Sequence, residues 1–217
     1  MHIAVDNREN WNLSIAERFW TEIAPPHHLV QIYHCEENFL STLTSFITTG
    51  FLADEAVIVI ATKQHLDRVS EQLYSKGFDP AGLVEKGQYI PVDARELLIK
   101  FLFGTSIDET FFKNTISGLV SEAQKYNSKF RAFGETVALL WEQRMHLATV
   151  HLERLWNELH NQSPFTLFCA YPASGFSSAQ RLSLRMICDH HAKIIDGEPG
   201  DPFYIRYKKT EFPSSRS

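Results

Sequence analysis

Cysteine is scarce in this chain, with Cys35, Cys169 and Cys188 the only three. The number is odd and the spacing matches no zinc pattern. A disulfide framework is thereby excluded, and a reducing, cytoplasmic setting is expected. Long hydrophobic runs are missing too. No stretch approaches the roughly 20 apolar residues that a membrane helix needs, so no membrane association is expected. The opening Met1-His-Ile-Ala-Val-Asp-Asn-Arg-Glu-Asn10 lacks the charged-then-apolar order of a secretion signal. Positive charge is in deficit. The net charge is −5, with both signs interspersed, which argues against direct nucleic-acid binding, since neutralising phosphates takes a basic face. Glycine is absent where a phosphate site would need it. A phosphate cradle requires glycines plus a lysine and a Ser/Thr, whereas the first strand–turn–helix reads Tyr33-His-Cys-Glu-Glu-Asn38. The one Gly-x-x-x-x-Gly, Gly82 to Gly87, runs into Gln88-Tyr89 and precedes a strand. Neither Gly-x-Ser-x-Gly nor His-Glu-x-x-His occurs. ATP hydrolysis at a phosphate loop, elbow-type acyl transfer and zinc proteolysis are excluded on these grounds.

What is present is an ordinary globular composition, 44% hydrophobic and 22% charged over 217 residues, enough for one sizeable core. Short apolar runs alternate with helical patterns. Leu29–Tyr33, Ala56–Ala61, Gln88–Val92, residues 130–134 and Phe165–Ala170 read as strands. The Ala56-Val-Ile-Val-Ile-Ala61 run is apolar throughout and predicts a central strand buried on both faces. Pro91 places its run at an edge or strand end. Between these runs, Phe39, Leu40, Leu43, Phe46 and Ile47 fall at helical spacing, with Gly50 as a stop. Thr62 and Asp93 are placed to cap the following helices. A helix from about Ser178 to Ile195 is expected to close the domain. The fold class predicted is α/β, three layers, with a mostly parallel sheet flanked by helices. Residues 1–24 read as a helical segment with Trp11, Phe19 and Trp20 as a candidate dimer interface, 25–197 as the domain, and 198–217 as a loosely held tail.

Two runs end abruptly in polar or turn residues, Arg131-Ala-Phe-Gly-Glu135 and Phe165-Thr-Leu-Phe-Cys-Ala-Tyr-Pro172. Strands of this kind open at their carboxyl ends onto a binding crevice. Glu135 reads either as a ligand-facing carboxylate or as a carboxylate stabilised by a helix N-terminus. His27, His28, His34 and Cys35 are metal-ligand types without metal-ligand spacing. Cys169 reads as a buried structural thiol. His191 falls on the inward stripe of Leu184, Ile187 and Cys188, while Glu153, Asn157 and His160 share one helical face.

Taken in order, several segments resemble the MEDS domain, a sensory domain named for methanogens, methylotrophs and a dichloromethane-responsive regulator. They are His28-Leu-Val-Gln-Ile-Tyr33, Gly50 to Thr62, Phe133-Gly-Glu-Thr-Val-Ala-Leu-Leu-Trp141, Leu152-Glu-Arg-Leu-Trp-Asn-Glu-Leu159, Phe165 to Pro172 and Cys188-x-x-His191. The resemblance spans about residues 27–195. It implies a RecA/KaiC-like fold whose phosphate loop has degenerated, used for sensing and not for catalysis; no cofactor or metal is expected. It carries over His28, Gln31, Tyr33, Glu135, Trp141, Glu153, Trp156, Asn157, Tyr171 and His191; all but Trp156 are taken as the ligand-binding candidates. It also implies signalling partners, namely histidine kinases, anti-sigma-type kinases or transcriptional regulators. After Trp141 the family often shows an acidic residue followed by Gly-Asn, and this chain departs from that with Glu142-Gln-Arg144. Two other readings stand beside sensing: a residual nucleotide-binding hydrolase or transferase using Glu135, and a protein-binding scaffold.

Overall fold

The structure, a computed structural model, describes residues 19–23, 27–176, 185, 187–197 and 205–207. Its centre is a seven-stranded sheet. The strands are β1 (His28–Tyr33), β2 (Ala56–Ala61), β3 (Tyr89–Asp93), β6 (Phe130–Gly134), β7 (Thr166–Pro172), β8 (Lys193–Gly197) and β9 (Ile205–Tyr207). A two-residue hairpin of β4 (Leu102–Phe103) and β5 (Ser106–Ile107) stands apart. The sheet order is β3-β2-β6-β7-β1-β8-β9, and all pairs are parallel except β8 with β9. The helices are α1 (Glu36–Leu52), α2 (Lys63–Ser75), α3 (Pro80–Glu85), α4 (Ala94–Phe101), α5 (Glu109–Tyr126), α6 (Thr136–Glu142) and α7 (His146–Gln162).

Connection direction decides which face each helix covers. The chain leaves β1 for β2 and β2 for β3 in one direction along the sheet, and leaves β3, β6 and β7 in the other. Right-handed crossovers then put the two groups of helices on opposite faces. The packing agrees. One core joins α1 and α2 residues such as Leu43, Phe46 and Val69 to Val57, Val59 and Phe168; the other joins α4 to α7 through Leu97, Phe112, Leu140 and Trp156 to Ile58, Ile60 and Leu167. Successive side chains of β2 alternate between the cores, and all six of its residues are buried. An uninterrupted apolar run is what such a strand requires.

Local signals hold at several ends. Thr62 accepts from the His65 amide, and Asp93 accepts from those of Arg95 and Glu96. Gly77 adopts φ +84 just after α2, the left-handed conformation that ends helices. β3, carrying Pro91, lies at the sheet edge.

Three expectations need correcting. Gly50 does not stop α1, which runs on to Leu52. It is where the helix meets the sheet: a Cβ there would lie 2.7 Å from Val57 Cγ2 and 2.9 Å from the Arg131 side chain. The closing helix does not reach Ile195, because Lys193–Gly197 is a strand beside β1; residues 178–184 of that expectation lie outside the described residues. Thirdly, Phe19 and Trp20 are not on the surface. They sit in a single π-helical turn, and Trp20 packs on Phe46 and Phe168 at 4.8 and 5.1 Å. Trp11 lies outside the described residues, as does the tail apart from β9.

Candidate functional site

Adjacent strands β1 and β7 send the chain away in opposite directions, and their last residues, Tyr33 and Pro172, are register partners. Such a reversal leaves a gap between the connecting segments at the carboxyl ends of the strands. A crevice of about 430 Å³ lies there. It draws on five strand ends: Tyr33 of β1, Thr62 after β2, Asp93 of β3, Glu135 after β6 and Pro172 of β7. A larger depression of about 770 Å³ lies between the β4–β5 hairpin and the α6–α7 turn, away from these strand ends.

Glu135 organises the crevice. It stands between β6 and α6, and its amide donates to Ile60 O of β2 at 2.9 Å. Its side chain makes no cap bond to α6. Instead Oε2 accepts the Thr62 amide at 2.8 Å and Oε1 meets His65 Nδ1 at 2.8 Å. Glu135 therefore ties the end of β6 to the start of α2. On its other side, His65 Nε2 faces Glu36 Oε1 at 3.4 Å, and that oxygen accepts from Arg68 at 2.8 Å. Burial lowers the pKa of His65, but the hydrogen bond and charge of Glu135, and then those of Glu36, outweigh it and the net shift is upward. Tyr33 stacks on Phe39 at 4.6 Å. Its burial, with the charges of Glu135, Glu142 and Glu36, raises its pKa and keeps it a phenol donor.

The start of α1, where a phosphate would otherwise sit, bears Glu36 and Glu37 in its first turn. Glu36, Asp93, Glu135 and Glu142 line the crevice together with Lys63, Arg95 and His65. The walls are mostly polar and lean negative.

The structure divides the candidate residues. Tyr33 and Glu135 line the crevice. Gln31 is buried under α1, where its Nε2 donates to Thr42. Trp141 is buried in the core on the other face of the sheet, with Nε1 donating to Gly175 O at 2.7 Å. Tyr171 points away from the crevice, to the opposite face of the sheet from Gln31, and donates to Glu153 Oε1. Glu153 is on α7, which covers that face. It lies 3.7 Å from His28 Nε2 and 3.5 Å from His191 Nε2, while Cys169 Sγ lies 3.5 Å from His28 Nε2. Asn157 lines a neighbouring depression with His28, His160 and His191. Burial raises Glu153 to about 8 and pushes Cys169 and Tyr171 upward; burial and the neighbouring histidines lower His28. His191 is buried, as its stripe implied, with Nδ1 2.8 Å from Ile187 O. Sequence reasoning missed His65; its position three residues past the cap Thr62 was the available signal. It also missed the grouping of Cys169 with His28, Glu153 and His191, which come from separate segments.

Compared with known families, residues 27–191 match the MEthanogen/methylotroph, DcmR Sensory domain. The chain belongs to the MEDS family. Among solved structures, this MEDS chain is similar to a KaiC-like protein from the hyperthermophilic archaeon Pyrococcus horikoshii, with TM-score 0.56 and 13% identity over 85% of this chain and 80% of that one. A second Pyrococcus horikoshii protein matches with TM-score 0.52 and 9% identity over 90% and 93% of the two chains. The MEDS domain thus has a RecA/KaiC-like fold. No curated protein matches it. Among the described residues, no helix is long and apolar enough to cross a membrane.

Proposed function

We propose that this MEDS domain is a non-catalytic sensor that binds a small polar organic molecule in the crevice at the carboxyl ends of β1, β2, β3, β6 and β7. One observation carries the reading: a crevice of small-molecule size is retained at the chain reversal, while the helix start that would hold phosphate carries Glu36 and Glu37. Carboxylates outnumber cations along its walls, so the ligand supplies hydrogen-bond donors or positive charge, and Tyr33 offers an aromatic face beside them. Occupancy would be relayed to a histidine kinase, an anti-sigma-type kinase or a transcriptional regulator.

The test is calorimetric titration of the full chain with a panel of small amines, alcohols and carboxylic acids, in parallel with Tyr33→Ala and Glu135→Gln. Binders are expected among the amines and alcohols, with affinity lowered about 10-fold or more in each variant, Tyr33→Ala by removing the aromatic face and Glu135→Gln by removing a negative charge from the wall. Binders unaffected by both substitutions would remove the ligand from the crevice. Magnesium-dependent ATP or GTP binding at millimolar concentration would favour the nucleotide-using enzyme instead.

A further inference from the structure

We propose that His28, Glu153, Cys169 and His191 form a binding site for one divalent transition-metal ion of the zinc class. The four residues come from the start of β1, the middle of α7, the interior of β7 and the segment just before β8. Their ligand atoms all lie within 4.8 Å of one another, and all four side chains are buried. The site is separate from the crevice, since His28 and Tyr33 stand at opposite ends of β1, about 16 Å apart at the rise of an extended strand.

Distances separate an ion site from a buried hydrogen-bonded knot. Glu153 Oε2 stands 3.5 and 3.7 Å from the two histidine Nε2 atoms, and it has no hydrogen-bond partner. A carboxylate hydrogen-bonded to imidazole would close to about 2.8 Å. Four ligands around one zinc, at about 2.0–2.1 Å for nitrogen and oxygen and 2.3 Å for sulfur, stand roughly 3.3–3.6 Å from one another. The two contacts to Glu153 fall at or just above that spacing, while Cys169 Sγ at 3.5 Å from His28 Nε2 suits a thiol hydrogen bond and a shared ion equally.

The surroundings fit as well. A carbonyl only accepts, so the 2.8 Å contact of His191 Nδ1 with Ile187 O puts the proton on Nδ1 and turns the Nε2 lone pair toward the cluster. Tyr171 donates to the other Glu153 oxygen and orients the carboxylate. A thiolate and a carboxylate neutralise a divalent ion, which a buried site requires. Nitrogen and sulfur donors select against calcium and magnesium. A depression of about 270 Å³ reaches both His28 and His191 and provides the route in.

The full chain, stripped with chelator and titrated with cobalt as the spectroscopic probe, tests this. Expected are one cobalt per chain, the visible bands of four-coordinate cobalt, a thiolate-to-cobalt charge-transfer band, and displacement by zinc. Cys169→Ser should abolish the charge-transfer band, and Glu153→Gln should weaken binding at least about 10-fold while far-UV circular dichroism stays unchanged. Cys35→Ser, at an exposed thiol past the far end of β1 from His28, should alter neither. If Cys169→Ser does not fold, the wild-type spectrum and Glu153→Gln decide. Failure to take up cobalt, a six-coordinate spectrum, or a charge-transfer band that survives Cys169→Ser or disappears with Cys35→Ser would overturn the proposal.

Discussion

Two charged side chains in this protein are worth more than their neighbours because of where they are held. His65 is clasped between Glu135 and Glu36, with Arg68 on its own helix and the Phe39 ring at 5.2 Å. Its pKa is raised in the folded state, so the stability it adds is fully present below its ordinary value of 6.5 and is lost as pH rises through the higher folded value. The stability difference between wild type and His65→Gln, measured by urea unfolding across pH, should therefore be largest in mild acid and shrink toward alkaline pH. A difference that does not vary with pH would mean that the pair is not ionic. Arg131 is the second. It is buried on β6, paired with Glu55, donates to Phe46 O and Thr49 Oγ1 at 2.9 and 3.0 Å, and sits over the Phe46 ring. Arg131→Met strands Glu55 and leaves the carbonyl without that donor, so a loss of about 3 kcal/mol is expected from the shift in urea midpoint. The sequence marks neither partnership, because both join segments far apart along the chain.

At the scale of elements, two helical glycines separate propensity from packing. Replacing glycine by alanine within a helix ordinarily gains about 0.5–1 kcal/mol. Gly118 in α5 has nothing within 4 Å of a would-be Cβ, so Gly118→Ala should raise stability by about that amount. Gly50 in α1 has Val57 and Arg131 within 3 Å of the same position, and overpacking of that kind costs about 1–3 kcal/mol. Gly50→Ala should therefore lower the thermal midpoint while Gly118→Ala raises it; equal signs would mean that α1 can shift away from the sheet. The strands show where pattern suffices. The β2 run could only be a strand buried on both faces, and Thr62 and Asp93 cap as their chemistry dictates. β8 shows where it fails. Its Ile194-Ile195 pair is too short to set a period, and following Ile187, Cys188 and His191 it extends a helical stripe equally well.

For the molecule as a whole, the sheet separates two cores and the reversal at β1 and β7 leaves the crevice on its upper edge. One edge strand, β3, carries Pro91, which blunts it. On the other side, β8 is covered by the antiparallel β9. A chain cut after Gly197 should expose the β8 edge, and an uncovered edge pairs with other chains. Concentration-dependent association in size-exclusion chromatography and a lower thermal midpoint are expected; an unchanged monodisperse peak would show that β9 is dispensable.

The sequence by itself determined the layered α/β class, the parallel sheet, the missing phosphate cradle and the MEDS kinship, because each is written in short-range pattern: period, caps and turn residues. It also determined that Tyr33 and Glu135 stand at strand ends. Tertiary structure alone decided which carboxylates share the crevice, that Glu135 spends both oxygens on Thr62 and His65, and that Tyr171 turns away from it. It also decided that His28, Glu153, Cys169 and His191 converge. The reason is physical: a ligand set drawn from four elements has no spacing to read, since the distance between its members is set by strand register and helix packing and not by the chain between them.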